Sequence, residues 1–313
     1  MRWAAPLVLA LSSACAAPPP PPAPPPAPEA RPQPRAARPA PAGPSAESRA
    51  AAEYYRAVER RRVAQGLLRR DGGGVDTRFG AADLARNFER IALFSEFDAR
   101  GGRFVAGETR ATLRRWTAPV RVEMHFGASV PEGTRAKDRR AVDALLARLS
   151  RATGHPVSRV ARGGNYHVFV VSLDEQAALA PALRAARRGI APGTVDAVLA
   201  QPRETFCANF AFPAPGRPGV FDGAIALIRS EHPDLMRLAC YHEEIAQGLG
   251  LPNDSPAARP SIFNEDDEFA TLTTHDELLL SILYDPALRP GMTPAQARPV
   301  VRRLAAARMG GPS

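Results

Sequence analysis

The side chains best suited to chemistry lie in one short stretch, where acidic and amide groups recur at helical spacing. Glu243 and Glu244 are adjacent, and Gln247 follows four residues after Glu243, so Glu243 and Gln247 share one face of a helix. Asn253 and Asp254 come soon after. A carboxylate can act as a general base, and oxygen donors of this kind suit Ca²⁺, Mg²⁺ or Mn²⁺. The stretch therefore predicts a polar binding cluster or a carboxylate-based active site.

The spacing of these residues resembles the metzincin signature H-E-x-x-H-x-x-G-x-x-H-D, in which two zinc ligands lie one helical turn apart. Laid on Glu243, that signature puts Glu244 in the place of the general base, Gly250 in the place of the helix-breaking glycine and Asp254 in the final place. The three zinc-ligand places hold other side chains: Glu243, Gln247 and Asn253. The residue four places after His242 is alanine, so His242 does not start a zinc motif of its own.

The substituted ligand places bear on catalysis. Catalytic zinc sites use neutral imidazole or thiolate ligands with at most one carboxylate. Without zinc no metal-bound water is available for Glu244 to deprotonate. We therefore expect no cofactor and favour a protein without catalytic activity. The alternatives are a hard divalent cation on Glu243, Gln247 and Asn253, and a hydrolase with an atypical metal site that keeps Glu244 as its base.

The segments around this helix extend the resemblance. Ser261–Phe263 stands where matrixin-like metzincins have their Met-turn, with Phe263 in place of the methionine. The strand Val220–Arg229 precedes the helix, in the position where zincins place the strand that lines the substrate cleft. The resemblance implies a cleft between that strand and the helix Cys240–Leu249, able to take an extended peptide by strand addition. The binding residues would then be Glu243, Gln247, Asn253, Asp254 and Phe263.

The chain also resembles a proteobacterial family, the domain of unknown function numbered 2927, over about residues 79–292. Five phrases carry this resemblance: Glu243–Gln247, Leu249–Ser255, Pro260–Asn264, Leu283–Pro286 and Pro290–Met292. Members of that family are described as lipoproteins and grouped with zincin-like peptidases. The resemblance implies an α+β fold with a zincin-like mixed sheet, a backing helix and an active-site helix, and a location in the cell envelope.

The first residues indicate export. Arg2 gives a positive start, Ala4–Leu11 is a short apolar core, and small residues precede Cys15. This pattern is typical of a secretory signal, and its end resembles a lipoprotein cleavage box. We predict a lipoprotein-type signal over residues 1–15 and a lipid anchor at Cys15. The alternative is ordinary cleavage a few residues away, which would release a protein into the periplasm.

A proline-rich segment follows. Of the 33 prolines in the 313-residue chain, 14 lie between Pro18 and Pro44. Such a tract holds an extended conformation and acts as a semi-rigid spacer. Residues 16–44 are therefore predicted to be a disordered tether. Together with the anchor at Cys15, this tether predicts that the protein is held on the periplasmic side of the outer membrane.

Two cysteines remain after the anchor, Cys207 and Cys240. In an oxidising compartment an even number of cysteines favours a disulfide. A bridge across this span would contribute about 3–4 kcal/mol to stability. The alternative is a pair of buried free thiols.

Periodicity then gives the elements that must position the site, with a helical pre-region over residues 45–110 and an α+β domain over 111–313. The predicted helices are Ser45–Arg70, Asp83–Phe97, Ala136–Ala152, Ala177–Arg188, Pro233–Leu249, Thr274–Tyr284 and Pro294–Met309. The predicted strands are Trp116–Phe126, Tyr166–Leu173, Thr205–Phe212 and Val220–Arg229. The chain thus has helices at both ends of a mixed α/β body.

The net charge of +9 does not indicate nucleic-acid binding. All but one of the basic residues are arginines, spread over segments that are predicted to be helical and carry acidic neighbours. Aromatic residues make up 6% of the chain and do not alternate with the arginines, as they do in single-strand binders. We expect no nucleic-acid partner.

Overall fold

The computed structural model describes residues 43–100 and 103–310. The predicted signal, the anchor at Cys15 and nearly all of the tether lie outside these residues. The elements in chain order are α1 (Ala46–Ala64), α2 (Ala81–Ala92), β1 (Phe94–Arg100), β2 (Arg103–Arg110), β3 (Arg115–Trp116), β4 (Val120–Phe126), α3 (Glu132–Thr153), β5 (Val157–Arg159), β6 (Tyr166–Val171), α4 (Leu173–Gln176), α5 (Ala180–Ala186), α6 (Pro192–Leu199), β7 (Cys207–Pro213), β8 (Val220–Arg229), α7 (Asp234–Gln247), α8 (Thr274–Leu283) and α9 (Pro294–Arg308).

The central sheet is mixed. Its strands run in the order β5-β4-β6-β8, and all of these neighbours are parallel. The two-residue strand β3 and the strand β7 both pair with the other side of β8, β3 in parallel and β7 antiparallel. This sheet, with helices before and after it in the chain, confirms the predicted fold class.

Both faces of the sheet are covered, so its inner strands are apolar throughout, as buried parallel strands are. One face carries Val122, Val168 and Ala226, which share the main core with α2, α3, α7, α8 and α9. The other face carries Phe169 and Leu227, which pack under α5 and α6. Among the helices that the structure describes, none combines the length and apolarity needed to cross a bilayer.

The predicted helix Asp83–Phe97 is wrong at its C-terminal end. The helix ends at Ala92, and β1 and β2 form an antiparallel hairpin in what was predicted to be helical pre-region. The apolar stripe of α2 runs on through Leu93 and Phe94. No glycine or proline interrupts the pattern there, so periodicity alone could not mark the end of the helix.

The junction of α1 with the body contains a buried histidine, His232, of which only 2% is exposed. Its ring lies 4.2 Å from that of Tyr55, and its Nε2 donates to the Phe206 carbonyl over 2.8 Å. Burial, with the nearby positive charges of Arg229 and Arg237, lowers the pKa of His232 to about 3. The folded protein therefore keeps this ring neutral.

This burial makes stability depend on pH. Unfolded histidine binds a proton below a pKa of about 6.5, whereas folded His232 does so only near 3, so acidification between these values favours the unfolded state. Replacing His232→Gln keeps an amide donor for the Phe206 carbonyl and removes the titration. We expect the slope of unfolding free energy against pH to fall by up to about 1.4 kcal/mol per pH unit, as measured by urea unfolding across this window. An unchanged slope would contradict the assignment.

Candidate functional site

The predicted site helix is α7, which places its carboxylates between the main core and the edge of the sheet. Glu244 is 3% exposed, while Glu243 and Gln247 are half-buried. One carboxylate oxygen each from Glu243 and Glu244 and the sulfur of Cys207 lie within 4.8 Å of one another. Two residues of the predicted site, Glu243 and Glu244, therefore lie together beside the start of β7.

The start of α7 is held by a buried ion pair. Arg237 Nε donates to Asp138 Oδ2 in α3 over 2.8 Å, and both side chains are about 95% buried. The same carboxylate oxygen accepts from the Tyr241 hydroxyl at 2.9 Å, and Arg237 also donates to the His232 carbonyl at 2.7 Å. Removing one partner of such a pair would leave an unpaired buried charge, so the pair fixes α7 against α3.

The end of α7 is held by aromatic donors from three other elements. The Trp116 indole donates to the Gly248 carbonyl over 2.8 Å, and the Tyr284 hydroxyl donates to the Leu249 carbonyl over 2.9 Å. The Tyr166 hydroxyl donates to the carbonyl of Glu244 itself over 2.5 Å. The Gly248 and Leu249 carbonyls lie just beyond the last residue of α7, and the Glu244 carbonyl also accepts the Gly248 N–H over 3.0 Å. The three donors therefore hold the end of the helix and the chain that leaves it.

Two glycines allow this arrangement. A side chain at Gly248 would place its Cβ 2.3 Å from the Tyr166 hydroxyl. Gly250 has a φ of +127°, and a Cβ there would lie 2.2 Å from the carbonyl of Arg114. Gly250 thus turns the chain directly after the helix, at the position that the signature reserves for a helix-breaking glycine.

A disulfide joins the helix to the edge of the sheet. Cys207, the first residue of β7, is bonded to Cys240 in α7, with a Cα–Cα distance of 5.9 Å. Closing a loop of this length contributes about 3–4 kcal/mol. The bond holds the start of β7 directly beside the turn of α7 that carries Glu243 and Glu244.

The predicted cleft strand is wrong. Val220–Arg229 is β8, an interior strand paired with β6 on one side and with β7 on the other. Ile225 and Leu227 of this strand are buried in the second core, on the face opposite α7. The strand beside α7 that ends the sheet is β7. Val220–Arg229 directly precedes α7 in the chain, which led to the prediction. The preceding strand, β7, pairs antiparallel with β8 and lies outside it, so β7 is the edge strand.

The remaining predicted site residues serve the loop after α7. The backbone N–H and side-chain amide of Asn253 donate to the Ile91 and Arg90 carbonyls, over 3.2 and 3.0 Å. Asn253 therefore docks the loop on the end of α2. Asp254 beside it is half-buried. Phe263 is fully buried in the main core.

The donor atoms around α7 do not fit zinc. The cluster consists of two carboxylates and a sulfur that is already bonded to Cys240, while the amide of Asn253 is directed to α2. The nearest histidine in sequence, His242, accepts a hydrogen bond from the Leu272 N–H at Nδ1, over 3.0 Å. Burial lowers the pKa of His242 to about 3. It supports the loop before α8 and offers no ligand to the cluster.

Sequence reasoning missed a second group of polar side chains, Glu123, His125 and His167. The alternation of apolar residues in Val120–Phe126 already placed Glu123 and His125 on one face of a strand. What it could not give is the pairing register, which brings His167 of β6 opposite Glu123. This group lies on the other face of the sheet from α7.

The fold and this site define an α/β protein in which a helix carrying adjacent glutamates is bonded to the edge of a mixed sheet. Residues 81–303, from the start of α2 into α9, match the family described as "Protein of unknown function (DUF2927)". The chain belongs to that family. Among curated proteins, none matches it.

The close approach at Gly248 can be tested by adding one methyl group. In Gly248→Ala the new Cβ would collide with the rigid, buried Tyr166 ring, so we expect a loss of about 1–3 kcal/mol of unfolding free energy. Gly133→Ala in α3 is the matched control, because a Cβ there meets no atom within 4 Å. This control should gain about 0.5–1 kcal/mol. Equal effects of the two changes in urea unfolding would refute the argument.

Proposed function

We propose that the protein is an exported cell-envelope protein whose zincin-like domain has lost the zinc site of its metzincin-like helix, α7, and instead binds an extended peptide segment there, such as part of another envelope protein. The observation that carries the proposal is the disulfide between Cys207 and Cys240. It fixes an edge strand, β7, beside the helix that carries Glu243, Glu244 and Gln247. Main-chain groups for strand addition and polar side chains for selectivity are thus held in one place.

The topology supports β7 as the docking strand. Among the strands that the structure describes, β7 pairs with β8 alone, so its outer edge can accept another strand, and of the described edge strands it is the one joined to α7 by the disulfide. Side chains alternate along a strand, and Cys207, Asn209 and Ala211 therefore share the face toward α7. Asn209 lies 2.9 Å from the Tyr166 hydroxyl that also holds α7. A peptide in this position would contact a rigid surface.

The ligand chemistry supports binding rather than hydrolysis. The positions at which the metzincin signature has histidines carry Glu243, Gln247 and Asn253. Asn253 is engaged with the end of α2 through its amide. Glu244 keeps the place of the general base, and its neighbours supply no ligand set for the zinc-bound water that such a base would activate.

Two features support the envelope location. The first residues have the pattern of a lipoprotein signal followed by a spacer. The bond between Cys207 and Cys240 suits an oxidising compartment. Anchored through Cys15, the domain would stand off the membrane on its tether and meet its partners in the periplasm.

Peptide binding is testable on the mature protein with a library of unrelated extended peptides and fluorescence polarisation. We expect micromolar binders whose affinity falls at least tenfold in Ala211→Arg, because the new side chain would project into the proposed groove. Ala307→Arg, an equally large change at an exposed position of α9, is the matched control and should bind like the wild type. Thermal unfolding of both variants separates a blocked groove from a damaged fold.

A Glu244→Gln variant distinguishes binding from catalysis. If the domain only binds, this variant leaves every selected peptide intact, as the wild type does. Peptide cleavage by the wild type that is lost in Glu244→Gln would refute the proposal and make the protein a hydrolase. An absence of any binder, or equal loss in the two arginine variants, would also refute it.

The anchor makes a separate prediction. Cells expressing the full chain and fed an alkyne analogue of palmitate should label the protein, and Cys15→Ala should abolish the label. The lipid anchor should also place the wild type in the membrane fraction. A wild-type protein that stays unlabelled in the periplasmic fraction would show ordinary signal cleavage instead.

A further inference from the structure

Three donor atoms converge on the face of the sheet opposite α7. His125 Nε2 lies 3.0 Å from His167 Nδ1 and 3.8 Å from Glu123 Oε1. The ligand atoms of all three residues lie within 4.8 Å of one another. His167 is 7% exposed, whereas about a third of the His125 side chain is exposed. The group is therefore buried at His167 and accessible to solvent at His125.

The register of the sheet explains why these residues meet. Glu123 and His125 are two residues apart in β4, so both point to the same face. In the parallel pairing of β4 with β6, Glu123 lies opposite His167. The triad is thus built on two rigid strands of the central sheet, the placement that gives a site its precision.

The distances fit a metal ion. Ligands at about 2.1 Å from a tetrahedral Zn²⁺ lie about 3.4 Å from one another. The two distances that join His125 to its neighbours, 3.0 and 3.8 Å, fall on either side of that value. These two pairs reach the tetrahedral spacing with side-chain adjustments of about 0.4 Å, and the third pair, Glu123 and His167, already lies within 4.8 Å.

Neighbouring groups orient the ligands. The Gly164 N–H donates to Glu123 Oε2 over 2.9 Å, which leaves Oε1 directed toward His125. The His125 ring stacks on Phe169, with centroids 4.5 Å apart and planes 15° apart. A side chain at Gly164 would place its Cβ 2.6 Å from that of Glu123, so only glycine permits this hydrogen bond. Such supporting contacts are characteristic of built metal sites.

We propose that Glu123, His125 and His167 bind a divalent transition-metal ion of the class that imidazole ligands favour, with Zn²⁺ as the representative ion. Two histidines and one carboxylate form a zinc ligand set that leaves the fourth position to solvent or to a ligand. Because His125 is reachable from solvent, the ion has an entry path and an open coordination position. This site uses none of the residues beside α7, so it shares no side chain with the proposed peptide groove.

Zinc titration of the mature, tag-free protein tests the proposal. After removal of metals with a chelator, Zn²⁺ is titrated by calorimetry above pH 6.5, where imidazole is neutral. We expect one equivalent to bind with low-micromolar or tighter affinity. The double change His125→Asn with His167→Asn should weaken binding by at least about 100-fold, because losing even a supporting contact can cost 10–100-fold. Co²⁺ in place of Zn²⁺ should give visible absorption bands that disappear in the same variant.

Three further variants make the result decisive. Glu123→Gln keeps the shape of the side chain and removes its charge, so it should weaken binding without unfolding the protein. His155→Asn changes a histidine outside the triad and should bind like the wild type. Glu244→Gln should also bind normally, which separates this site from the α7 cluster. The proposal is overturned if the wild type binds no zinc, or if binding persists in the double variant.

Discussion

The C-terminal end of α7 is the constraint on which the rest of the site depends. A helix end exposes carbonyls without intrahelical partners, and burying them is costly unless other donors reach them. Trp116 from the sheet and Tyr284 from the end of α8 supply such donors to the Gly248 and Leu249 carbonyls, and Tyr166 adds a second donor to the Glu244 carbonyl. Glycine at position 248 leaves room for the Tyr166 ring. The position of Glu244 therefore follows from aromatic residues far away in the sequence.

The other two restraints on α7 act at different points and by different physics. The ion pair of Arg237 with Asp138 ties the first turns to α3. Such a buried pair adds little net stability, but removing one partner leaves an unpaired buried charge and is strongly destabilising. The bond from Cys240 to Cys207 ties the middle of the helix to β7 and acts mainly on the unfolded chain. With both ends and the middle held, the helix cannot rotate to bring another face toward the edge strand. The half-buried Glu243 and Gln247 are thus set by the scaffold.

The parts of the fold that sequence could predict are those in which periodicity and burial agree. The alternation in Val120–Phe126 and the continuous apolar run from Tyr166 gave β4 and β6, and the bounds of β8 were predicted without error. The hairpin after α2 was missed because the apolar stripe of the helix continues through Phe94. The role of Asn253 was also beyond sequence, since the carbonyls it caps belong to a helix about 160 residues earlier in the chain. The spacing of residues in the sequence shows which of them share a face of a helix or strand. Which faces then come into contact depends on the pairing register of the strands and on contacts between segments far apart in the chain.

Alternation along β6 links the two sites that the structure offers. Tyr166 points toward α7 and holds the Glu244 carbonyl, while the next residue, His167, points to the opposite face and meets His125 and Glu123. Adjacent residues of one buried strand thus serve both faces, and a shift of the backbone at one of them also displaces the other. A ligand that rigidifies β4 and β6 on one face would therefore also stabilise the platform under α7 on the other, through the strand itself and without any contact between the sites.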